Sequence, residues 1–341
     1  MAQRKKRGFA KKKIVKKAVR ETENVLGRGL SKGSLAVIML FAALIIFGMY
    51  LEEQSVKKDE PAVVVSSFIE KDADLIVKYI DVGQGDCELI SYGGRSVLID
   101  SGEKDAKDAV FKAIDELGIK KLDYIIATHP HSDHIGCMDK VIKNYEVGTV
   151  IAPKIPDDMI PASNTYERFL NALSYKGIRL TAAKCGDVYS LEAFEGDNTA
   201  FEVLAPAGDG YDDLNDWSVV IRLVHGNNAF IFTGDAEEIS EGDILSLGED
   251  ISADVLKVGH HGSSSSTSDE FLEAVSPKTA VISCGEGNSY GHPHKEIKKK
   301  LDENNIECYR TDENGTITAY CDGESIKMIC EKEAASKNAD N

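Results

Sequence analysis

Two rhythms of apolar residues alternate along most of this chain: short β-branched runs, and longer stretches in which apolar positions recur with helical spacing. Residues 75–82 and 96–99 are strand-like runs with Gly83, Gly85, Gly93 and Gly94 between them, which predicts strands joined by tight turns. Residues 105–117 (DAKDAVFKAIDEL) place Ala109, Val110, Ala113, Ile114 and Leu117 on one helical face, and Gly118 ends that helix. The pattern continues with a strand over 122–127, a helix over 135–145, a strand tip at 150–151 and a helix over 166–175. Residues 219–224 and 229–232 read as a hairpin turning through Gly226-Asn227-Asn228. A helix near 236–247, a strand over 254–258, a helix over 269–275, a strand over 279–283 and a helix over 295–304 follow. Strands around 307–310, 316–321 and 325–330 close the pattern. Strand runs interleaved with helices predict an α/β architecture in which helices cover sheets.

One segment fits neither rhythm. Residues 35–51 (LAVIMLFAALIIFGMYL) are 17 consecutive residues without a charge, closed by Glu52 and Glu53. As a helix this run is about 26 Å long, enough to cross a hydrocarbon core. A cleaved signal peptide and a buried core helix are the competing readings. The signal peptide is disfavoured by the long basic region before the run and by the absence of a small-residue cleavage pattern after it. The expectation is an uncleaved transmembrane anchor, with a basic tail at 1–34, a linker at 52–73, a folded body at 74–330 and a polar tail at 331–341.

Charge sharpens this division. The whole chain has 40 Lys and Arg against 57 Asp and Glu, a net charge of −17. Residues 1–34 hold 12 basic residues against Glu21 and Glu23, a balance of +10, so the remainder carries −27. Basic residues before the apolar run and acidic ones after it predict a single-pass protein of the cell membrane, with the tail in the cytoplasm and the body outside. The tail reads first as a topology determinant; attraction to anionic lipid or nucleic acid is its alternative role. A remainder of −27 is not built as a non-specific binder of long polyanions. The seven cysteines, all beyond residue 86, are odd in number and form no Cys-x-x-Cys, so small buried thiols are the default reading.

The chemistry concentrates in histidines. Thr128-His129-Pro130-His131-Ser132-Asp133-His134 follows the strand at 122–127 and opens a helix. Three imidazoles and a carboxylate in six residues at a strand-to-helix turn can converge on one point, and both are ligands for zinc-like divalent ions. The strand at 254–258 runs into His260-His261, and that at 229–232 into Asp235. Strand ends that deliver His, Asp and His to one rim have the layout of a dinuclear hydrolase. Asp235 has a plainer alternative, the N-cap of the helix that follows.

Longer motifs surround these residues: Tyr79-Ile80-Asp81-Val82-Gly83-Gln84-Gly85-Asp86, Leu98-Ile99-Asp100-Ser101-Gly102, Asn215-Asp216-Trp217-Ser218, Thr233-Gly234-Asp235, residues 257–263 and Asn288-Ser289-Tyr290-Gly291-His292-Pro293-His294. Through them the body resembles the metallo-β-lactamase fold superfamily, and within it the hydrolase domain of ComEC-type competence proteins. The resemblance implies a four-layer αββα sandwich and two divalent ions, zinc first and manganese as the alternative. It places His129 and His131 on the first ion, Asp133 and His134 on the second, Asp235 between them, and one of His260 and His261 on the second. Asp133, His134 and Asp235 are the implied catalytic residues. Asp100 would orient a ligand, and Ser263 and His292 would line the substrate side.

Two departures qualify the resemblance. Most of the superfamily supplies a third histidine to the first ion, whereas Asn215-Asp216 fills that place here and only His225 lies between His134 and Asp235. In addition, ComEC-type proteins carry a multi-helix channel, whereas this chain has one candidate membrane helix. The expected function is an extracytoplasmic metal-dependent phosphodiesterase or nuclease using a metal-bridging hydroxide. Its substrate would be a phosphodiester, including short or single-stranded nucleic acid, and its partner the membrane. Hydrolysis of another ester, a lactam or a choline-phosphate headgroup is the alternative reaction, and a non-catalytic metal-binding surface protein the alternative class.

Overall fold

The protein is described here through a computed structural model of residues 75–332. The basic tail, the apolar run, the linker and most of the polar tail lie outside the described residues. Among the described residues no helix is long and apolar enough to cross a membrane.

Among the described residues fifteen strands form two sheets. The first holds β1 (Leu75–Tyr79), β2 (Cys87–Tyr92), β3 (Arg95–Asp100), β4 (Lys121–Ile126), β5 (Glu146–Ala152) and β6 (Leu180–Ala182). The second holds β7 (Val188–Ser190), β8 (Ala200–Ala205), β9 (Val220–His225), β10 (Asn228–Phe232), β11 (Val255–Lys257), β12 (Thr279–Ile282) and β13 (Glu307–Arg310). The chain then returns to the first sheet with β14 (Ile317–Cys321) and β15 (Ile326–Cys330). The spatial orders are β15-β14-β1-β2-β3-β4-β5-β6 and β13-β12-β11-β10-β9-β8-β7. The helices are α1 (Lys107–Glu116), α2 (Ser132–Ile135), α3 (Met138–Asn144), α4 (Asn164–Lys176), α5 (Glu238–Ser246), α6 (Asp269–Val275), α7 (Lys295–Glu303) and α8 (Thr311–Asn314).

Strand alternation builds three apolar layers. Val97, Ile99, Phe201, Phe230 and Phe232 pack between the sheets, while their strand neighbours Leu98 and Ile231 point outward under helices. On one outer face Val110, Ile114, Val141, Phe169 and Leu173 of α1, α3 and α4 cover the first sheet. On the other, Ile244, Phe271, Leu272, Ile297 and Leu301 of α5, α6 and α7 cover the second. The result is an αββα sandwich. Each fully buried Phe between the sheets contributes about 1.5–3 kcal/mol of transfer free energy.

Most predicted elements exist within a residue or two of their expected ends, but some differ. The expected helix over 135–145 is two helices, α2 and α3, separated by a turn at Gly136-Cys137. The helix expected from residue 236 starts at Glu238. The 226–228 turn is only Gly226-Asn227, because Asn228 already pairs with His225. Strands β2, β6, β7 and β8 were not predicted. β2 (CELISY) and β8 (AFEVLA) carry Glu88 and Glu202 inside apolar runs, and β6 and β7 are three residues each, too short for any periodicity to register. All seven cysteines are free thiols, with Cys87, Cys137, Cys284 and Cys321 buried.

The topology also fixes where chemistry can occur. β3 and β4 are parallel in one sheet, and β10, β11 and β12 are parallel in the other. Their carboxyl ends deliver Asp100, the 128–134 loop, Asp235 and the His260-His261 turn, and the side chains of these segments meet one another. Ligand sites of open parallel sheets form at such strand ends.

Candidate metal centre

The loop after β4 is locked in place before any histidine acts. Asp100, in the left-handed region at φ 54°, accepts from the Thr128 amide at 2.8 Å and from the Thr128 hydroxyl at 2.6 Å. A second brace comes from the turn before β2. Gly85 has φ +132°, and a Cβ there would collide with the carbonyl of Asp133; the Asp86 amide donates to that same carbonyl at 3.2 Å.

Each buried imidazole is then oriented through Nδ1. His134 Nδ1 donates to Asp100 Oδ2 at 2.7 Å, His261 Nδ1 to the Ser283 carbonyl at 3.0 Å, and His129 Nδ1 faces the Thr128 hydroxyl at 3.1 Å. Fixing Nδ1 as the donor turns the Nε2 lone pair inward, the arrangement typical of metal-binding histidines. His134 Nε2 lies 3.2 Å from Asp235 Oδ2, and His261 Nε2 lies 3.3 Å from Asp133 Oδ2 and 3.5 Å from Asp235 Oδ1. Ligand atoms of Asp133, His134, Asp235 and His261 all fall within 4.8 Å of one another. Beside them, His129 Nε2 faces His131 Nδ1 at 3.0 Å and Asp235 Oδ2 at 3.8 Å.

The residues present fit divalent cations. Among the described residues, His134 Nε2, His261 Nε2 and Asp235 Oδ1 are buried atoms without a hydrogen-bond partner, a costly state unless something else satisfies them. His129 Nε2 and His131 Nδ1 face each other at 3.0 Å, close enough to share one ring proton or to turn together toward a cation. The electrostatics agree. Burial opposes charge on His134, yet Asp235, Asp100 and Asp133 outweigh it and raise its pKa well above the ordinary value. For His261, Asp235, Asp86 and Asp133 overcome burial and push the pKa up to about 10. Asp133 and Asp235 themselves, despite burial, are held well below the carboxylate range by His134 and His261. Negative charge this concentrated, ringed by inward-facing nitrogens, matches the donor set of zinc and related ions.

The metallo-beta-lactamase superfamily profile matches residues 80–286, which span the whole of this centre. The chain belongs to the metallo-beta-lactamase superfamily. Among its superfamily relatives, ComE operon protein 3 of Bacillus subtilis is 35% identical over 264 residues, covering 71% of this chain and 32% of that protein. Competence protein ComA of Neisseria gonorrhoeae is 30% identical over 295 residues, covering 86% of this chain and 36% of that protein. The chain thus spans about a third of the length of these relatives. A solved metallo hydrolase from the archaeon Ignicoccus hospitalis is 16% identical with a TM-score of 0.48, covering 71% of this chain and 98% of that one.

Within this metallo-β-lactamase framework the structure sorts the expected site residues. His129, His131, Asp133, His134, Asp235 and His261 converge as described above. Of the His260-His261 pair, His261 is the one placed among Asp133, His134 and Asp235; His260 sits to one side, its Nε2 3.7 Å from Asp235 Oδ2. Asp100 touches His134 and Thr128. His292 lines the cleft with Gln84, Asn215 and Tyr290, and burial together with His261 and His260 pushes its pKa down to about 4. Ser263 bonds Ser265 at 2.8 Å and is not among the residues lining the cleft.

Two expectations change. Asp235 is not the N-cap of α5: Asp216 Oδ1 accepts from the Glu237 and Ser240 amides at that helix start, at 3.2 and 3.1 Å. Asp216, expected beside the ligands or the substrate, therefore anchors the start of a helix. His225, the only other histidine between His134 and Asp235, ends β9, where it bonds Thr199 at 2.8 Å and packs edge-on against Tyr92; it is no stand-in for the missing third ligand.

Sequence reasoning missed four contributors. Glu237 bonds His260 at 2.9 Å. Lys257, fully buried, donates to Asp86 at 2.7 Å, and Asp86 faces His261 at 3.2 Å. Gln84 accepts from the Gly285 amide at 3.1 Å on the cleft wall. Lys257, Asp86 and Gln84 all stand inside the superfamily motifs, which was the available signal; Glu237 had none.

Proposed function

We propose that the chain is a membrane-anchored, metal-dependent phosphodiesterase that cleaves short or single-stranded nucleic acid outside the cytoplasm. The observation that carries this reading is a cleft of about 350 Å³ opening over His131, Asp133, Asp235, His260 and His261. Bound divalent ions supply Lewis-acid neutralisation of phosphoryl oxygens and acidify water. The chain supplies the rest. Asp235 and the histidines would hold the ions, Asp100 and Thr128 fix the His134 ring, and Asp133 stays ionised. Half-buried and facing the cleft, Asp133 is placed to accept a proton from the attacking water.

The residues lining the cleft include neither Lys nor Arg, so a phosphate is drawn there by the ions. With −27 carried beyond residue 34, that favours short substrates over long duplex. The similarity to a competence protein and to a ComE operon protein supports nucleic acid as the natural substrate. Residues 35–51 would hold the body at the outer face, with tail 1–34 inside.

The test is a panel: the full chain reconstituted with zinc or manganese against bis(p-nitrophenyl) phosphate, a short oligonucleotide, a thioester and a lactam. Phosphodiester turnover that disappears in Asp133→Ala supports the proposal. Turnover confined to the lactam or thioester would overturn it. Protease added to intact cells should remove the body and spare the tail; a protected body would refute the orientation.

A further inference from the structure

We infer that His260 supplies the missing third nitrogen of the first ion site, oriented by Glu237, which Asn215 helps to hold. The inference rests on the metallo-hydrolase reading and goes beyond it by assigning a ligand where the superfamily's histidine is absent.

His260 and His261 are successive non-glycine residues that both adopt the left-handed region, φ 46° and 54°. A side chain rarely accepts this conformation once, let alone twice in a row. The turn sends the two neighbouring rings to opposite oxygens of one carboxylate: His261 Nε2 faces Asp235 Oδ1 at 3.5 Å, and His260 Nε2 faces Asp235 Oδ2 at 3.7 Å. Oδ2 is also the oxygen that His129 Nε2 faces, at 3.8 Å. His134 Nε2 lies nearest to it, at 3.2 Å, which makes Oδ2 the seam between the two halves of the centre. His260 and His129 thus share one oxygen of Asp235, while His261 faces the other oxygen and Asp133.

The orientation of His260 repeats that of the other histidines. Its Nδ1 is 2.9 Å from Glu237 Oε1, the carboxylate–imidazole contact that aims Nε2 at a cation. Glu237 is held in turn by the Ser265 hydroxyl at 2.8 Å and the Asn215 side-chain amide at 3.4 Å. Asn215 thus occupies the place of the absent histidine and steadies the carboxylate behind its replacement. Its own Oδ1 is buried without a hydrogen-bond partner on the cleft wall, a further oxygen available to the same ion.

A purely structural His260–Glu237 pair would leave metal binding untouched, and this separates the two possibilities. Manganese(II) alone is titrated into the full chain, with bound equivalents counted by calorimetry and elemental analysis and ion pairing read by electron paramagnetic resonance. The expected results are two equivalents and a spin-coupled pair in the wild type, and one equivalent with an isolated-ion spectrum in His260→Ala. Glu237→Gln, which leaves the His260 backbone intact, should weaken the second equivalent about 10- to 100-fold. Asn215→His in the His260→Ala background should restore it. A wild type that takes only one ion, or a His260→Ala that keeps both at unchanged affinity, overturns the inference while the metallo-hydrolase reading stands. A wild type that takes no ion overturns both.

Discussion

Asp100 shows how far a metal centre depends on side chains that touch no metal. It accepts two bonds from Thr128 and one from His134 in a fully buried pocket. Its φ of 54° is one that Asn also tolerates. Asp100→Asn should therefore keep the backbone and the fold, but lose the charge that fixes the His134 ring. The expected result is a 10- to 100-fold weaker affinity for the ion beside His134, about the usual cost of removing such a partner, measured by calorimetry with zinc; unchanged affinity would refute the role. The local cluster His129–His134 and the strand-end Asp235 were legible in the sequence because one short loop and one strand end carry them. The division of labour between His260 and His261 was not, since it depends on two left-handed residues and on Glu237, which only the folded chain brings within reach.

At the scale of elements, α5 and the ends of the sheets carry testable roles. Asp216 accepts the first amides of α5, so Asp216→Ala should destabilise the protein by about 1 kcal/mol, the usual loss for a helix cap. Metal content should not change; a drop in bound ions alongside a normal melting temperature would instead make Asp216 part of the site. A tie between the sheets sits beside the His225 end of β9. Asp197 accepts from Tyr92 OH of the first sheet at 2.7 Å, and from the Ala193 amide and both Thr199 donors within the second-sheet hairpin at 2.6–2.8 Å. Burial alone would raise its pKa, but these bonds outweigh it and hold the carboxyl down at about 2. A carboxyl depressed on folding stabilises the native state above its unfolded pKa of about 3.8, and that contribution is lost as pH falls toward 2. Asp197→Asn should therefore lower the urea midpoint at neutral pH, with the gap to wild type closing below about pH 4; a gap independent of pH would contradict the clasp. The strands that escaped sequence reading make the same physical point. Glu88 in β2 is fully buried, and burial and Asp86 raise its pKa well above the usual value, so a residue that reads as a surface charge belongs to the interior. In a sheet buried on both faces, alternation gives way to context.

For the whole molecule, the charge divides at residue 34, with +10 before it and −27 after. If the proposed function holds, an acidic body that engages a phosphodiester through bound ions responds to salt differently from a basic nuclease. A protein that docks phosphates on Lys and Arg loses affinity steeply between roughly 50 and 200 mM salt. Here added salt screens repulsion, so KM for a short oligonucleotide should stay level or fall over that range, measured at fixed metal concentration; a steep rise would reveal a basic docking surface. The αββα layering itself was legible, because helices and strands alternate along residues 75–330 and the superfamily motifs recur at strand ends. How the three cores divide the apolar residues was not, since Leu98 and Ile99, or Phe230 and Ile231, part to opposite faces only when both sheets are in place.

The central claim is that Asp133, His134, Asp235 and His261, with His129 and His131, form one metal centre that does the chemistry. Its most direct test is metal content and phosphodiester turnover measured together on wild type, Asp133→Ala and His134→Ala. The account predicts stoichiometric divalent ion and turnover in the wild type, with both reduced in each variant although the fold is retained. A wild type that cleaves the substrate equally well after exhaustive chelation, or variants that match it in both ion content and rate, would contradict it.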